Sequence, residues 1–295
     1  MVGPTAAGKS ALSLELALTI GGEVVNADSM QLYRGMDIGT AKLSQAERRG
    51  VPHHLLDVWD VREGASVAEY QRLAREAVDD VLAGGKVPVL VGGSGLYVRA
   101  ALDNLSFQPT EPQVRDRLEA ELAELGAAAL HERLSRLDPA AAAAILPSNG
   151  RRIVRALEVI EVSGRSFRAT LPDYQSVYTA VQIGLRMPRE QLDKRIVARV
   201  EDMWRAGFVD EVRKLEAAGL RDGRTASRAL GYGQVLRFLA GQWSQDQARD
   251  ETIRATRRFA RRQEAWFRRD PRVIWFEAAQ PDLPAAVLSM VSTRL

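Results

Sequence analysis

The chain has 295 residues, 46% of them apolar, enough to bury a large core as one domain or two. No apolar run approaches the roughly 20 residues that span a bilayer, and no signal peptide is read before the first motif, so a soluble cytoplasmic protein with no membrane partner is expected. Cysteine is absent, which excludes disulfides and thiolate metal sites; net charge is only +3, but nearly all the positive residues are arginine, and their placement matters more than their sum.

Taken in chain order, the first element is a loop. Gly3, Pro4, Thr5, Ala6, Ala7, Gly8, Lys9 and Ser10 match G-x-x-x-x-G-K-[ST], in which two glycines let the backbone curl so that N–H groups face phosphate oxygens. Lys9 adds a mobile charge, and the Ser10 hydroxyl is a candidate ligand for Mg²⁺. A glycine turn can match by chance, but Leu12, Leu16 and Ile20 mark an amphipathic helix directly behind this one, which argues for a diphosphate or triphosphate site. Only Met1 and Val2 precede the loop, whereas a central parallel strand normally takes about five residues, so residues upstream of Met1 are expected.

Glu23 to Asp28 then reads as a strand ending in an acid. A helix from Val67 to Ala83 leads to Gly84-Gly85, to the strand Val87 to Val91, and to Gly92-Gly93-Ser94-Gly95. This order predicts right-handed crossovers, a parallel sheet, and one crevice where the Gly3–Ser10 loop, Asp28 and the second glycine loop converge. The fold class is therefore α/β, a phosphate-loop core on a parallel sheet. From Pro109 to Arg168 strand signals vanish in favour of Ala, Leu, Glu and Arg, which predicts an all-helical insertion. The expected division is core 1–108, insertion 109–176, and the rest of the core 177–295. Val177 to Arg186 is strand-like, Pro188 opens a helix through Trp204, helices dominate to Arg269, and Val273 to Phe276 is a late strand.

Several side chains invite chemistry. Asp28, at a strand end facing the phosphate loop, suits an Mg²⁺ ligand, a general base or a helix N-cap. On the Pro188–Trp204 helix, Arg195 and Arg199 lie together beside an apolar stripe, a common place for arginines that merely snorkel. Arg254, Arg257, Arg258, Arg261 and Arg262 share one helical face, with Phe259, Gln263, Trp266 and Phe267 on the other side. Such stripes are usually solvated faces, but five arginines without interleaved acids point to a polyanion. Arg151, Arg152 and Arg155 form a second cluster.

The block Asp28-Ser-Met-Gln-Leu-Tyr-Arg-Gly-Met-Asp-Ile-Gly-Thr-Ala-Lys42, together with the Gly3–Ser10 loop, closely resembles the tRNA dimethylallyltransferases. So do Pro52-His53-His54-Leu55-Leu56-Asp57, Val91 to Tyr97, and Arg152 to Val159; the likeness runs to about Phe267. The resemblance implies transfer of a dimethylallyl group from its diphosphate to N6 of the adenosine 3′ of a tRNA anticodon. The loop would then hold the leaving diphosphate with Mg²⁺ on Ser10. Asp28 would be the general base, Ser94 (Thr in many relatives) would orient Asp28 or the diphosphate, and Arg199 would grip the diphosphate. The same resemblance implies that the insertion clamps the tRNA anticodon stem-loop. Contacts are expected from Asp28, Ser29, Met30 and Gln31, from Arg151, Arg152 and Arg155, and from Arg228, Gly231 and Tyr232. Arg254, Arg258 and Arg261 complete the expected set, with Tyr232 or Gln31 reading the base. A monomer is expected. The rivals are a small-molecule kinase with the same loop and an RNA-remodelling NTPase.

Overall fold

The computed structural model describes residues 1–167 and 173–294; Arg168, where the helical texture was expected to end, lies outside the described residues. Strand β1 (Glu23–Asn26) is the centre of a parallel sheet ordered β2 (His53–His54), β1, β3 (Pro88–Val91). A second parallel pair, β4 (Gln182–Arg186) and β5 (Val273–Glu277), runs in register from Gln182 opposite Val273 to Arg186 opposite Glu277.

Met1 and Val2 lie between the two sheets. The Met1 nitrogen donates to the Leu90 carbonyl (2.5 Å) and the Met1 carbonyl accepts from Gly92 (3.2 Å). On the other side Val2 N–H donates to Ile183 (2.7 Å) and Leu185 N–H donates to Val2 (3.0 Å). The two residues thus bond to both neighbours, although a strand of about five was expected. Helix α1 (Lys9–Ile20) is buried on two sides: Leu12 and Leu16 pack with Ile183 and Leu185, while Leu14 and Ala17 pack with Val24 and Val91.

Helix α2 (Val67–Ala83) keeps the expected bounds, because Ser66 accepts the Glu69 N–H as an N-cap and Tyr70, Ala74, Ala77, Val78 and Val81 form one buried face. Beyond the second glycine loop comes α3 (Gly95–Leu102). The chain divides into two compact units, residues up to Asp103 together with those from Ser176 on, and Asn104–Gln175. Asp103, the last residue of the first segment, is tied into the first unit. The Asp103 carboxylate, fully buried, is held by Arg99 (2.6 Å) and Arg272 (2.6 Å), both residues of the first unit.

The second unit contains α4 (Pro112–Leu137), interrupted at Gly126 (φ 80°, ψ 167°), α5 (Pro139–Ala143) and α6 (Gly150–Ser163). Its apolar core includes Leu118, Leu130, Leu134, Ile153 and Leu157, and the unit also holds a fully buried carboxylate, Glu158. The remaining helices belong to the first unit: α7 (Arg189–Arg205), α8 (Phe208–Ala217), α9 (Tyr232–Leu239), α10 (Gln245–Phe267) and α11 (Leu283–Ser292). No helix among the described residues is long and apolar enough to cross a membrane.

Candidate active site

The Gly3–Gly8 loop leaves the sheet and enters α1 at Lys9. Gly3 (φ +137°) is required here, because a Cβ would fall 2.6 Å from the Leu185 carbonyl oxygen. Ala6 also adopts a positive φ (64°), as do Ala41 and Asp57 around the same crevice, the kind of local strain that collects at functional sites. The Lys9 ammonium donates to the Pro4 carbonyl (2.8 Å) and so stays over its own loop. Burial, reinforced by Arg199 and opposed by Asp28, lowers the Lys9 ammonium to about 8.

Asp28 follows β1 and is held by the backbone on both sides. Asn26, buried, accepts the Asp28 N–H (2.9 Å) and donates to the Asp28 carbonyl (3.0 Å) and to the Leu55 carbonyl (3.0 Å). Asp28 Oδ1 accepts the Met30 N–H (2.9 Å), which leaves Oδ2 with no hydrogen bond among the described residues. Ser94 meets Ser29 and not the Asp28 carboxylate: its Oγ accepts the Ser29 N–H and donates to Ser29 Oγ, both at 3.2 Å. It therefore fixes the turn that carries Asp28. Arg199, half-buried on α7, donates to the Thr40 carbonyl (3.2 Å), as does the Gln31 amide (3.2 Å). Burial draws its guanidinium below the usual value while Asp28 pulls it up, and it stays charged.

Two cavities meet at these residues. The larger, about 1010 Å³, is lined by Lys9, Ser10, Gln31 and Arg195; the smaller, about 290 Å³, by Ser29, Met30, Arg228, Gly231 and Phe259. Thr5, Asp28, Thr40 and Arg199 line both. A single carboxylate and a single guanidinium thus stand where a ligand in one cavity would reach a ligand in the other.

Sequence reasoning missed Gln263. Buried on α10, it accepts the Thr5 N–H (2.8 Å) and donates to the Gly93 carbonyl (2.9 Å), joining both glycine loops to the arginine helix. Gly93 and Gly95 are glycines because α10 packs on them: a Cβ would fall 2.1 Å from Gln263 Nε2 and 2.1 Å from Trp266. Asn26 was missed as well, though an Asn two residues before an acid is a readable turn signal.

The expected RNA contacts on the helices differ in their surroundings. Arg254, Arg258 and Arg261 are exposed on α10, but the face is not free of acids, since Glu251 pairs with Arg254 (3.1 Å) and Arg258 (2.7 Å). Arg261 forms no ion pair among the described residues. Arg151 and Arg152 are exposed in the first turn of α6, where the helix dipole disfavours cations and would favour an anion beside them. Arg155 is committed elsewhere, to the carbonyls of Pro109 (2.8 Å) and Gln108 (2.6 Å) and to Glu158 (2.7 Å). Tyr232 is fully buried, edge-on to Phe208 (5.0 Å between ring centres) with its hydroxyl on Glu211 (2.7 Å), so in this conformation it supports the smaller cavity's wall.

No group of three or more carboxylate or histidine ligands that could hold a metal ion occurs among the described residues. The sequence profile described as IPP transferase matches residues 31–270. The tRNA dimethylallyltransferase of Thermobifida fusca is 67% identical over 99% of this chain and 93% of its own length. The crystal structure of the tRNA isopentenylpyrophosphate transferase from Bacillus halodurans superposes with a TM-score of 0.73 at 42% identity, covering 99% of this chain and 93% of that one. A eukaryotic dimethylallyltransferase acting on tRNA shares the fold, with a TM-score of 0.80 at 24% identity over 100% of this chain and 79% of its own. With the profile spanning most of the chain and a relative this similar along its whole length, the chain belongs to the IPP transferase family.

Proposed function

We propose that this protein transfers a dimethylallyl group from dimethylallyl diphosphate to N6 of the adenosine 3′ of a tRNA anticodon, releasing diphosphate. The observation that carries the reading is the placement of Asp28 on the wall common to both cavities, within reach of an amine entering from one and an allylic C1 presented from the other.

The diphosphate sits over the Gly3–Ser10 loop, where the first-turn N–H groups of α1 lack carbonyl partners and the helix dipole favours an anion. The adenine amine enters past Ser29, Met30 and Arg228. As the N6 lone pair attacks C1, the C1–O bond breaks and its electrons go to the diphosphate. Lys9, Arg199 and the loop N–H groups offset the growing charge. Asp28 accepts the N6 proton, so nitrogen leaves the step neutral. The exposed Ser10 hydroxyl would be the side-chain ligand for Mg²⁺, which when bound would supply further charge neutralisation at the leaving group.

The deciding assay combines protein, Mg²⁺, unmodified tRNA and labelled dimethylallyl diphosphate, with ATP in a parallel reaction. Label on tRNA that disappears in Asp28→Asn is expected. Phosphoryl transfer or ATP hydrolysis without label on tRNA would replace this reading with a kinase or an NTPase.

A further inference from the structure

Glu211 of α8, the partner of the Tyr232 hydroxyl, has a saturated carboxylate. Oε2 accepts the N–H groups of Asp37 (3.1 Å) and Ile38 (2.6 Å), and Oε1 accepts the Gly39 N–H (3.2 Å) and the Tyr232 hydroxyl (2.7 Å). Three consecutive backbone donors on one carboxylate fix a loop as firmly as a bound anion would. The same loop is closed from the other end by the buried Lys42 ammonium, which donates to Asp37 (2.7 Å), Asp57 (2.6 Å) and the Tyr33 carbonyl (2.9 Å). Gly39 admits no side chain, since a Cβ would lie 2.3 Å from Phe208 and 2.6 Å from Tyr232.

The residue after this grip is Thr40. Its carbonyl is the acceptor for both Arg199 (3.2 Å) and Gln31 (3.2 Å), and it lines both cavities. We propose that Glu211 is a positioning residue for the reaction, acting through the 37–40 loop to hold the Thr40 carbonyl that aims Arg199 at the diphosphate. The proposal rests on the transferase reading of the larger cavity as the diphosphate site. Glu211 touches no substrate; its effect reaches the reaction only through Arg199, so removing Arg199 removes the effect of Glu211.

That dependence is the test. Inorganic pyrophosphate affinity is measured by calorimetry for the wild type, Glu211→Gln, Arg199→Ala, their double variant and Tyr232→Phe, with melting temperatures alongside. A glutamine in place of Glu211 turns an amide NH₂ towards the backbone donors while nearly keeping the shape. It is expected to weaken pyrophosphate binding roughly tenfold, and in the Arg199→Ala background to add less than about twofold. Tyr232→Phe keeps the ring packing, loses one of the carboxylate's four donors, and is expected to cost about threefold, which keeps the test open if Glu211→Gln folds poorly. Independent, additive losses from Glu211→Gln and Arg199→Ala, or unchanged pyrophosphate affinity in both latch variants, would overturn the positioning role alone. A wild type that binds no pyrophosphate would overturn the reading of the cavity as well.

Discussion

Among single residues, Asp28 has the sharpest expected phenotype. Asp28→Asn keeps the Asn26 clamp and the Met30 bond, so its loss is chemical, and a 10²–10⁴-fold fall in single-turnover transfer is expected with tRNA affinity changed by less than about threefold. Lys9 predicts a pH dependence. Its charged form binds the diphosphate, and bound anion raises its affinity for the proton. The part of the pyrophosphate affinity that Lys9 supplies should therefore be flat below about 8 and fall as pH rises through that value, on top of the titration of pyrophosphate itself. Isothermal titration across pH checks this by comparing wild type with Lys9→Met, which is expected to lose the fall above about 8 and keep only the dependence of pyrophosphate itself. In the ligand-free protein the sign is opposite. A lysine depressed below its usual value disfavours the folded state while charged, so this penalty is relieved as pH rises from about 8 towards the unfolded lysine value. That Asp28, Lys9 and Ser10 line one crevice was legible because a loop motif and a strand ending in an acid are local patterns. Glu211 and Gln263 were not, because each is an ordinary polar residue whose partners lie elsewhere in the chain, in the case of Gln263 and Thr5 by 258 positions; Asn26 left a local turn signal towards Asp28, but its bond to Leu55 spans 29 positions.

At the scale of elements, the stretch Arg152–Val159 shows one arginine with partners inside the helical unit. Its arginines suggest phosphate contacts, and in this structure Arg155 also serves Glu158, which accepts from Arg115, Thr110, Arg155 and the Glu111 N–H. Burial alone would raise that carboxyl, yet the bonds from Arg115, Thr110 and Arg155 bring it down to about 2. Its stabilising contribution is complete above the unfolded glutamate value and is lost as pH falls towards about 2. Glu158→Ala leaves Arg115 and Arg155 without their shared partner and is expected to cost about 3–5 kcal/mol, read by denaturant unfolding. The acid three residues after Arg155 was visible in the sequence; that it is buried follows only from the apolar residues on either side of it. Helix α2 was legible to its ends because Ser66 caps it and its apolar spacing has one period. The pairing of Met1 and Val2 was not, since two residues carry no periodicity and their ladder depends on β3 and β4.

For the whole molecule, RNA affinity is expected to depend on ionic strength through the arginines that remain available. Replacing Arg261 by Ala should lower the slope of log Kd against log salt by about 0.7–0.9, whereas Arg155→Ala should leave it unchanged because its guanidinium is spent internally. Arg254 and Arg258, shared with Glu251, should fall between, and filter binding at several salt concentrations separates the three cases. The two cavities that share Thr5, Asp28, Thr40 and Arg199 have a further consequence, for inhibitor design. On the proposed reading, a compound joining a purine to a diphosphate mimic would have to thread one end past Asp28 and Arg199 before either end could seat. Two fragments that enter from opposite sides and react at the neck avoid that passage, so the enzyme itself would be the mould in which its tightest ligand is cast.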